Sequence, residues 1–145
     1  MATVTQILNN KDSEVFTVGP DATAYEALQL MADENIGATP VLDSGRLLGI
    51  FSERDYARKV ILKGKSSRDT AVSELMTTTV YTVDPGTSVE DCMALMTDRR
   101  VRHLPVLEDG RLIGIVSIGD VVKTIIAKQR GQIRELRDYV AGNMY

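Results

Sequence analysis

Apolar residues recur along the chain with two alternating periods. Val89, Cys92, Met93 and Met96 fall at i, i+3, i+4 and i+7, one face of a helix, and Ala24, Ala27, Leu28 and Met31 make the same stripe earlier. Each stripe is followed by two short runs of strand composition, over residues 39–43 and 46–52 in the first half. Ser44-Gly45 joins them there, and Asp109-Gly110, a favoured two-residue hairpin turn, joins their counterparts in the second half. The pattern then returns to helix, from residue 53 to about 62 and from 118 to about 129. Ahead of each stripe a short extended piece, residues 16–18 or 81–83, ends at a turn containing Pro20 or Pro85. The predicted order is β-α-β-β-α, twice. Because the paired strands are apolar on both sides, each sheet is expected to be covered on two faces. Gly131 is expected to punctuate the last helix, with residues 132–140 forming one more short helix that carries Ile133, Leu136 and Val140 on one side. That tail reads equally as a strap across the domain or as a surface packed at a subunit boundary.

The two halves are copies of one another. Residues 16–61 align with residues 81–126 without a gap at a constant offset of 65. Over a third of the aligned positions are identical, among them Pro20, Met31, Pro40, Gly45, Gly49, Ser52 and Asp55. Chance coincidence at average residue usage would give roughly 6%. A shorter echo precedes each copy, Val4-Thr5-Gln6-Ile7-Leu8 against Val72-Ser73-Glu74-Leu75-Met76, here at an offset of 68. The chain therefore divides into repeat 1 over residues 1–62, a polar and basic link over 63–71, repeat 2 over 72–130 and a helical tail over 131–145.

Composition then narrows the function classes. A length of 145 residues suits one compact domain that needs neither disulfide nor metal for stability. Seventeen Lys+Arg against 20 Asp+Glu, a net charge of −3, argue against broad nucleic-acid binding, which depends on neutralising phosphates. The lone cysteine, Cys92, excludes an intramolecular disulfide and suits a reducing compartment. With one His and one Cys, neither a zinc site of the usual kind nor a nucleophile–base–orienter set can be assembled, so no metal, no required cofactor and no catalysis are expected. No apolar run approaches the ~20 residues of a membrane span and no basic-then-apolar leader opens the chain, so a soluble, cytoplasmic protein without a membrane partner is expected.

The candidate chemistry lies in two words, Gly49-Ile50-Phe51-Ser52-Glu53-Arg54-Asp55 and Gly114-Ile115-Val116-Ser117-Ile118-Gly119-Asp120. Each ends a strand on Ser and opens a helix with Asp three residues on. One reading is structural: Ser-x-x-Asp resembles a capping box that satisfies early helix N–H groups. The other follows from its repetition in register. A helix start can hold phosphate, and a neighbouring carboxylate can accept both hydroxyls of a ribose. Gly119 would let a ligand approach the backbone, whereas Arg54 at the matching position would reach a phosphate, so the two sites are expected to be unequal. Cys92, Met31, Met93 and Met96 read as core filler. His103, beside Leu104-Pro105-Val106, reads equally as a structural residue or a ligand contact. The basic stretch Arg54, Arg58, Lys59, Lys63, Lys65 and Arg68 reads as a solvated helix face whose first members can meet phosphate.

The Thr-Val-x-Pro start, the Pro-Val-Leu-Asp/Glu-x-Gly-Arg-Leu hairpin and the Gly-Ile-x-Ser-x-x-Asp ending resemble a tandem pair of cystathionine-β-synthase (CBS) domains, a Bateman module, over roughly residues 1–130. The chain is most similar to stand-alone bacterial CBS-pair proteins. The resemblance implies an α/β fold in which two β-α-β-β-α repeats pack about a pseudo-twofold axis and leave two clefts for adenosine-containing ligands. It places Ser117, Gly119 and Asp120 with Phe16, Ile36, Gly37 and Ala38 in one cleft, and Ser52, Arg54 and Asp55 with Tyr81, Val101, Arg102 and His103 in the other. In such clefts Asp holds the ribose, backbone groups read the adenine edge and basic residues meet phosphate. Because Gly37-Ala38 stands where the second repeat has Arg102-His103, phosphate at the cleft of Ser117 and Asp120 would rely on Arg54, Arg58 or Lys59 from across the module. The implied function is a regulatory module sensing AMP, ADP, ATP, NAD or S-adenosylmethionine by changing conformation or affinity for a regulated protein. The implied assembly is a homodimer formed through helices, and a ligand-independent dimerisation or interaction subunit is the alternative.

Overall fold

The chain opens on a short helix, α1 (Val4–Asn10), in a computed structural model that describes residues 2–11 and 14–143. Then come α2 (Ala24–Glu34), the hairpin β1 (Ala38–Asp43) and β2 (Arg46–Ser52), and a single α-helical turn, α3 (Glu53–Asp55). The last continues as a π-helix over Tyr56–Ile61. After a 3₁₀ turn at Val72–Glu74 the second half repeats the order with α4 (Val89–Arg99), β3 (His103–Glu108), β4 (Arg111–Ser117) and α5 (Ile118–Asn143). The fold is mixed α/β, with two antiparallel strand pairs. None of the described helices is long and apolar enough to cross a membrane.

Local chemistry explains each element. In α2 and α4 the Thr23 and Ser88 hydroxyls accept the backbone N–H of Glu26 and Asp91 at 3.1 and 3.0 Å, capping helices whose stripes bury Ala24, Ala27 and Met31, and Val89, Cys92 and Met96. The hairpin turns place Ser44 and Gly45 at φ 50° and 80°, and Asp109 and Gly110 at 52° and 79°. Two successive left-handed residues give the type I′ turn whose twist matches the flanking strands. The expected third strand is reduced in each repeat to one parallel bridge, Val18 to Val41 and Val83 to Val106. It stops there because Pro20 and Pro85, two residues on, have no N–H to continue a ladder.

The two cores are completed by exchange. Val4 and Ile7 of α1 are buried with Val89, Cys92, Leu104 and Val116 of the second repeat, while Val72 and Leu75 are buried with Ala24, Val41 and Phe51 of the first. The backbone bonds that seat these segments repeat in register. Val4 N–H donates to Thr87 O at 2.9 Å and Val72 N–H to Ala22 O at 2.7 Å; Thr5 and Ser73 donate to Pro85 and Pro20, each at 3.1 Å. Two fully buried aliphatic side chains on each side stabilise the exchange by on the order of 3–6 kcal/mol. Gly49 and Gly114 make room for it. A Cβ on Gly114 would stand 2.6 Å from Leu8 Cδ2, and one on Gly49 would stand 2.8 Å from both Met76 Sδ and the Thr77 carbonyl oxygen.

The helix after β4 departs from expectation. Gly131 does not punctuate it; α5 runs unbroken through Asn143. A mid-helix glycine costs only about 1 kcal/mol against alanine, and the surrounding Lys, Gln, Arg, Glu and Leu are good helix formers. From residue 126 onward the described side chains are exposed, with Ile133, Leu136 and Val140 at 53%, 63% and 51%. The tail does not strap the domain.

Both glycine contacts are testable by chemical denaturation. Gly49→Ala is expected to destabilise more than Gly114→Ala, because its Cβ meets a backbone carbonyl, whereas Leu8 can change rotamer. Losses of about 2–3 and about 1 kcal/mol are expected. Equal effects, or no effect, would refute the close-approach role.

Candidate functional site

Strand β2 delivers Ser52 to the start of α3, and the capping box anticipated from Ser-x-x-Asp is formed. Ser52 Oγ accepts Asp55 N–H at 3.1 Å, and Asp55 Oδ2 in turn accepts both Ser52 N–H and Ser52 Oγ–H at 3.0 Å. The other carboxylate oxygen, Oδ1, accepts the Thr77 hydroxyl at 3.1 Å and faces Lys59 Nζ at 3.2 Å. Thr77 belongs to the exchanged segment, bonded through its backbone to Ile50 at 3.0 and 2.8 Å. The same exchange that fills the core thus carries a hydroxyl to the carboxylate.

A cavity of about 340 Å³ opens beside this junction. That volume falls in the range of small-molecule sites. It brings together all seven residues expected on this side: Ser52, Arg54, Asp55, Tyr81, Val101, Arg102 and His103. Ile50, Val80, Tyr81 and Val101 supply apolar walls, and Arg54, Arg100 and Arg102 supply positive charge against Glu53 and Asp55. Arg54 Nη1 donates to the Arg100 carbonyl at 3.3 Å, and Arg99 lies over the Tyr81 ring at 5.1 Å. Arg100 ends α4 in the left-handed region at φ 56°, an unusual conformation for a residue with a long side chain, held here on the rim of the cavity.

Gly37 also lines this cavity, although its expected place is with Ser117 and Asp120. A Cβ there would meet Glu53 Oε1 at 3.2 Å and His103 Nε2 at 3.4 Å. Its carbonyl accepts Glu53 N–H at 3.1 Å, as the Arg102 carbonyl accepts Ile118 N–H at 2.8 Å in the other half. Ala38 pairs with Ser52 across the hairpin. Phe16 offers its carbonyl to Thr39 Oγ1 at 2.9 Å, and Ile36 N–H closes the end of α2 on Met31 O at 2.9 Å.

The second Ser-x-x-Asp caps α5 in the same way, with Asp120 N–H on Ser117 Oγ at 3.2 Å and Ser117 N–H on Asp120 Oδ2 at 2.9 Å. Here, however, Lys11 Nζ donates to Asp120 Oδ2 at 2.7 Å and to the Ile115 carbonyl at 2.9 Å. Burial works against the Asp120 carboxylate, but the Lys11 ammonium and the Ser117 N–H and hydroxyl together hold its pKa below the ordinary value. Gly119 is exposed, and a Cβ on it would sit in ordinary contact 3.6 Å from Ser117 Oγ, so packing does not require the glycine. Of the basic residues expected to serve a phosphate at this cleft, Arg54 lines the Asp55 cavity and Lys59 contacts Asp55 itself.

Sequence reasoning missed Lys11, Thr77, Thr79 and Arg100. The lead-in echo held the signal for three of them: at the offset of 68, Thr77 and Thr79 correspond to Asn9 and Lys11. Cys92 is buried, its thiol pushed up to about 11 by burial and then by Asp91, which removes thiolate chemistry at neutral pH. Among the described residues no three His, Cys, Asp or Glu side chains gather as a metal site.

A family model for the CBS domain matches residues 4–62 and 72–127. The chain is 44% identical over 127 residues to the mitochondrial CBS domain-containing protein CBSX3 of Arabidopsis thaliana, covering 84% of this chain and 62% of that one, so it spans about three fifths of that relative's length. A CBS-domain protein structure from Burkholderia ambifaria superposes with a TM-score of 0.85 at 50% identity, covering 88% of this chain and 96% of that one. The CBS domain pair of protein MJ0100, in complex with 5′-methylthioadenosine and S-adenosyl-L-methionine, superposes with a TM-score of 0.79 at 25% identity over 88% of this chain and 98% of that one.

His103 generates a pH prediction. Burial lowers its pKa, the Lys11 and Arg102 charges push the same way, and Asp120 pulls against them. The unfolded imidazole titrates near ~6.5, so between that value and the lower folded one the unfolded chain binds more protons. Stability is full above this window and is lost as pH falls through it. The thermal midpoint is expected to drop between about pH 7.5 and about pH 5.5, and less steeply in His103→Gln, which has no titrating ring. Parallel curves for the two proteins would overturn the assignment. Asp120 contributes in the same sense only below about pH 4.

Proposed function

Since the chain belongs to the CBS-domain family as a tandem pair, a regulatory module, we propose that it senses an adenosine-containing ligand, bound in the Ser52–Asp55 cleft, by a ligand-dependent change of conformation. The observation that carries the reading is one cavity combining an apolar slot, a carboxylate pair of oxygens and three arginines. Tyr81, Val80 and Val101 suit an adenine face, while Asp55 Oδ1, now on the Thr77 hydroxyl and Lys59, suits ribose hydroxyls. The MJ0100 domain pair, which binds 5′-methylthioadenosine and S-adenosyl-L-methionine, supports an adenosine ligand in this fold. Arg54, Arg100 and Arg102 favour a ligand that adds phosphate, so AMP, ADP, ATP or NAD fits the charge of this cleft better than a nucleoside or a sulfonium cation. The ligand's effect is a shift between conformers, bounded by its differential affinity for them. Binding rather than catalysis is the role we assign: the hydroxyls on Asp55 are those of Ser52, which closes the helix cap, and Thr77, which belongs to the exchanged segment.

Titration calorimetry with AMP, ATP and adenosine tests this reading. Phosphorylated ligands are expected to bind, and Asp55→Asn is expected to abolish binding at a stability cost of only about 1 kcal/mol for the weakened cap. Arg102→Ala should weaken ATP by roughly 10- to 100-fold while leaving adenosine little changed. No heat with any ligand at millimolar concentration would refute the nucleotide reading.

A second reading is a dimerisation platform that needs no ligand, favoured by apolar side chains on the outer face of α5: Val122, Ile126, Ile133 and Leu136 are 40%, 42%, 53% and 63% exposed. A homodimer is compatible with both readings. A dimer whose size and stability ignore nucleotide favours this second one.

A further inference from the structure

The two Ser-x-x-Asp carboxylates are met by cations from different segments. Asp55 meets Lys59 one helical turn along its own helix, and Lys59 is not part of the cavity wall. The wall is instead built by Thr77 and Thr79 of the exchanged segment, both small and neutral. In the other half Lys59 is replaced by Thr124, whose hydroxyl turns back to the Asp120 carbonyl at 2.9 Å and leaves the carboxylate alone. The cation arrives from the lead-in: Lys11, at the position corresponding to Thr79, puts its ammonium on Asp120 Oδ2 at 2.7 Å. A second bond, to Ile115 O at 2.9 Å, fixes the side chain against β4. Its backbone is anchored as well, because Lys11 N–H closes α1 on the carbonyls of Ile7 and Leu8, and α1 is held by buried Val4 and Ile7.

We propose that Lys11 is the specificity-determining residue of the second cleft: its ammonium takes the carboxylate that a ribose would need, so each chain binds one adenine nucleotide, at Asp55. The proposal rests on the nucleotide reading of Asp55 given above. A ribose offers two neutral hydroxyls, whereas the occupant is a cation on a partly buried carboxylate, the stronger hydrogen-bond partner. Duplication has thus produced one ligand cleft and one internal ion pair from the same motif.

The experiment is a titration of the full chain with ATP and with AMP, read as stoichiometry by calorimetry and by native mass spectrometry. Wild-type protein is expected to take up one nucleotide per chain, the second cleft being weaker by roughly 10- to 100-fold. Lys11→Gln, which keeps a polar group of similar reach without the charge, is expected to take up two. Lys11→Gln combined with Asp120→Asn should return to one, and Lys11→Arg should stay at one. A wild-type chain that binds two with similar affinity, or a Lys11→Gln chain that still binds one, overturns the role of Lys11 while leaving the Asp55 site standing. Absence of binding in every variant overturns the nucleotide reading, and this proposal with it.

Discussion

Leu8 resting on Gly114 and Met76 resting on Gly49 are the contacts on which the rest of the molecule depends. Each repeat, taken alone, has a hairpin and a capped helix but an unfinished core. The missing apolar residues, Val4 and Ile7 on one side and Val72 and Leu75 on the other, come from the segment that leads into the opposite repeat. A side chain at either glycine would push the lead-in off the strand it covers. The exchange also settles where the chemistry falls. The residues that immediately follow each lead-in, Thr77 and Thr79 or Lys11, land beside the Ser-x-x-Asp at the end of that same strand. Core closure and site construction are therefore one event, and neither repeat can form its own cleft.

The Ser-x-x-Asp motif serves the fold before it serves any ligand. In both halves it closes a capping box, with serine and aspartate satisfying each other's backbone N–H groups at 2.9–3.2 Å. That explains why the motif survives in the half where Lys11 has taken the carboxylate: removing it would still cost a cap, about 1 kcal/mol. A cap uses only part of a carboxylate, however. Asp55 accepts from Ser52 through Oδ2 and leaves Oδ1 to weaker or longer contacts with Thr77 and Lys59. Thus the structural and ligand readings of the motif do not compete. At Asp55 they use different oxygens of one side chain, whereas at Asp120 the cap and Lys11 share Oδ2.

The parts of this architecture legible in the sequence are those with a period. The stripes of α2 and α4, the paired turns and the constant offset of 65 locate helices, hairpins and repeats, because each depends on nearby residues alone. What stayed hidden depends on long-range geometry. Gly131 looks like a stop, yet a single glycine is a small penalty within a run of strong helix formers. The switch from α3 to a π-helix over Tyr56–Ile61 has no signature in Tyr-Ala-Arg-Lys-Val-Ile, although π-turns favour functional sites. Lys11 was overlooked for a different reason: it lies outside the gapless alignment, three residues past the matched echo at offset 68, and its partner Asp120 is 109 residues away.

Exact duplication would have made two equal clefts, and a few substitutions separate them. Arg102-His103 stands where the other repeat has Gly37-Ala38, and Lys11 stands where the other lead-in has Thr79, so Asp120 is met by the lead-in's cation and Asp55 by Lys59 of its own helix. His103 ties the two halves together. It lines the Asp55 cavity, yet its imidazole feels both Lys11 and Asp120. Because burial and the Lys11 charge both lower the pKa of the ring, the charge on that ammonium bears on a wall of the Asp55 cavity as well as on Asp120.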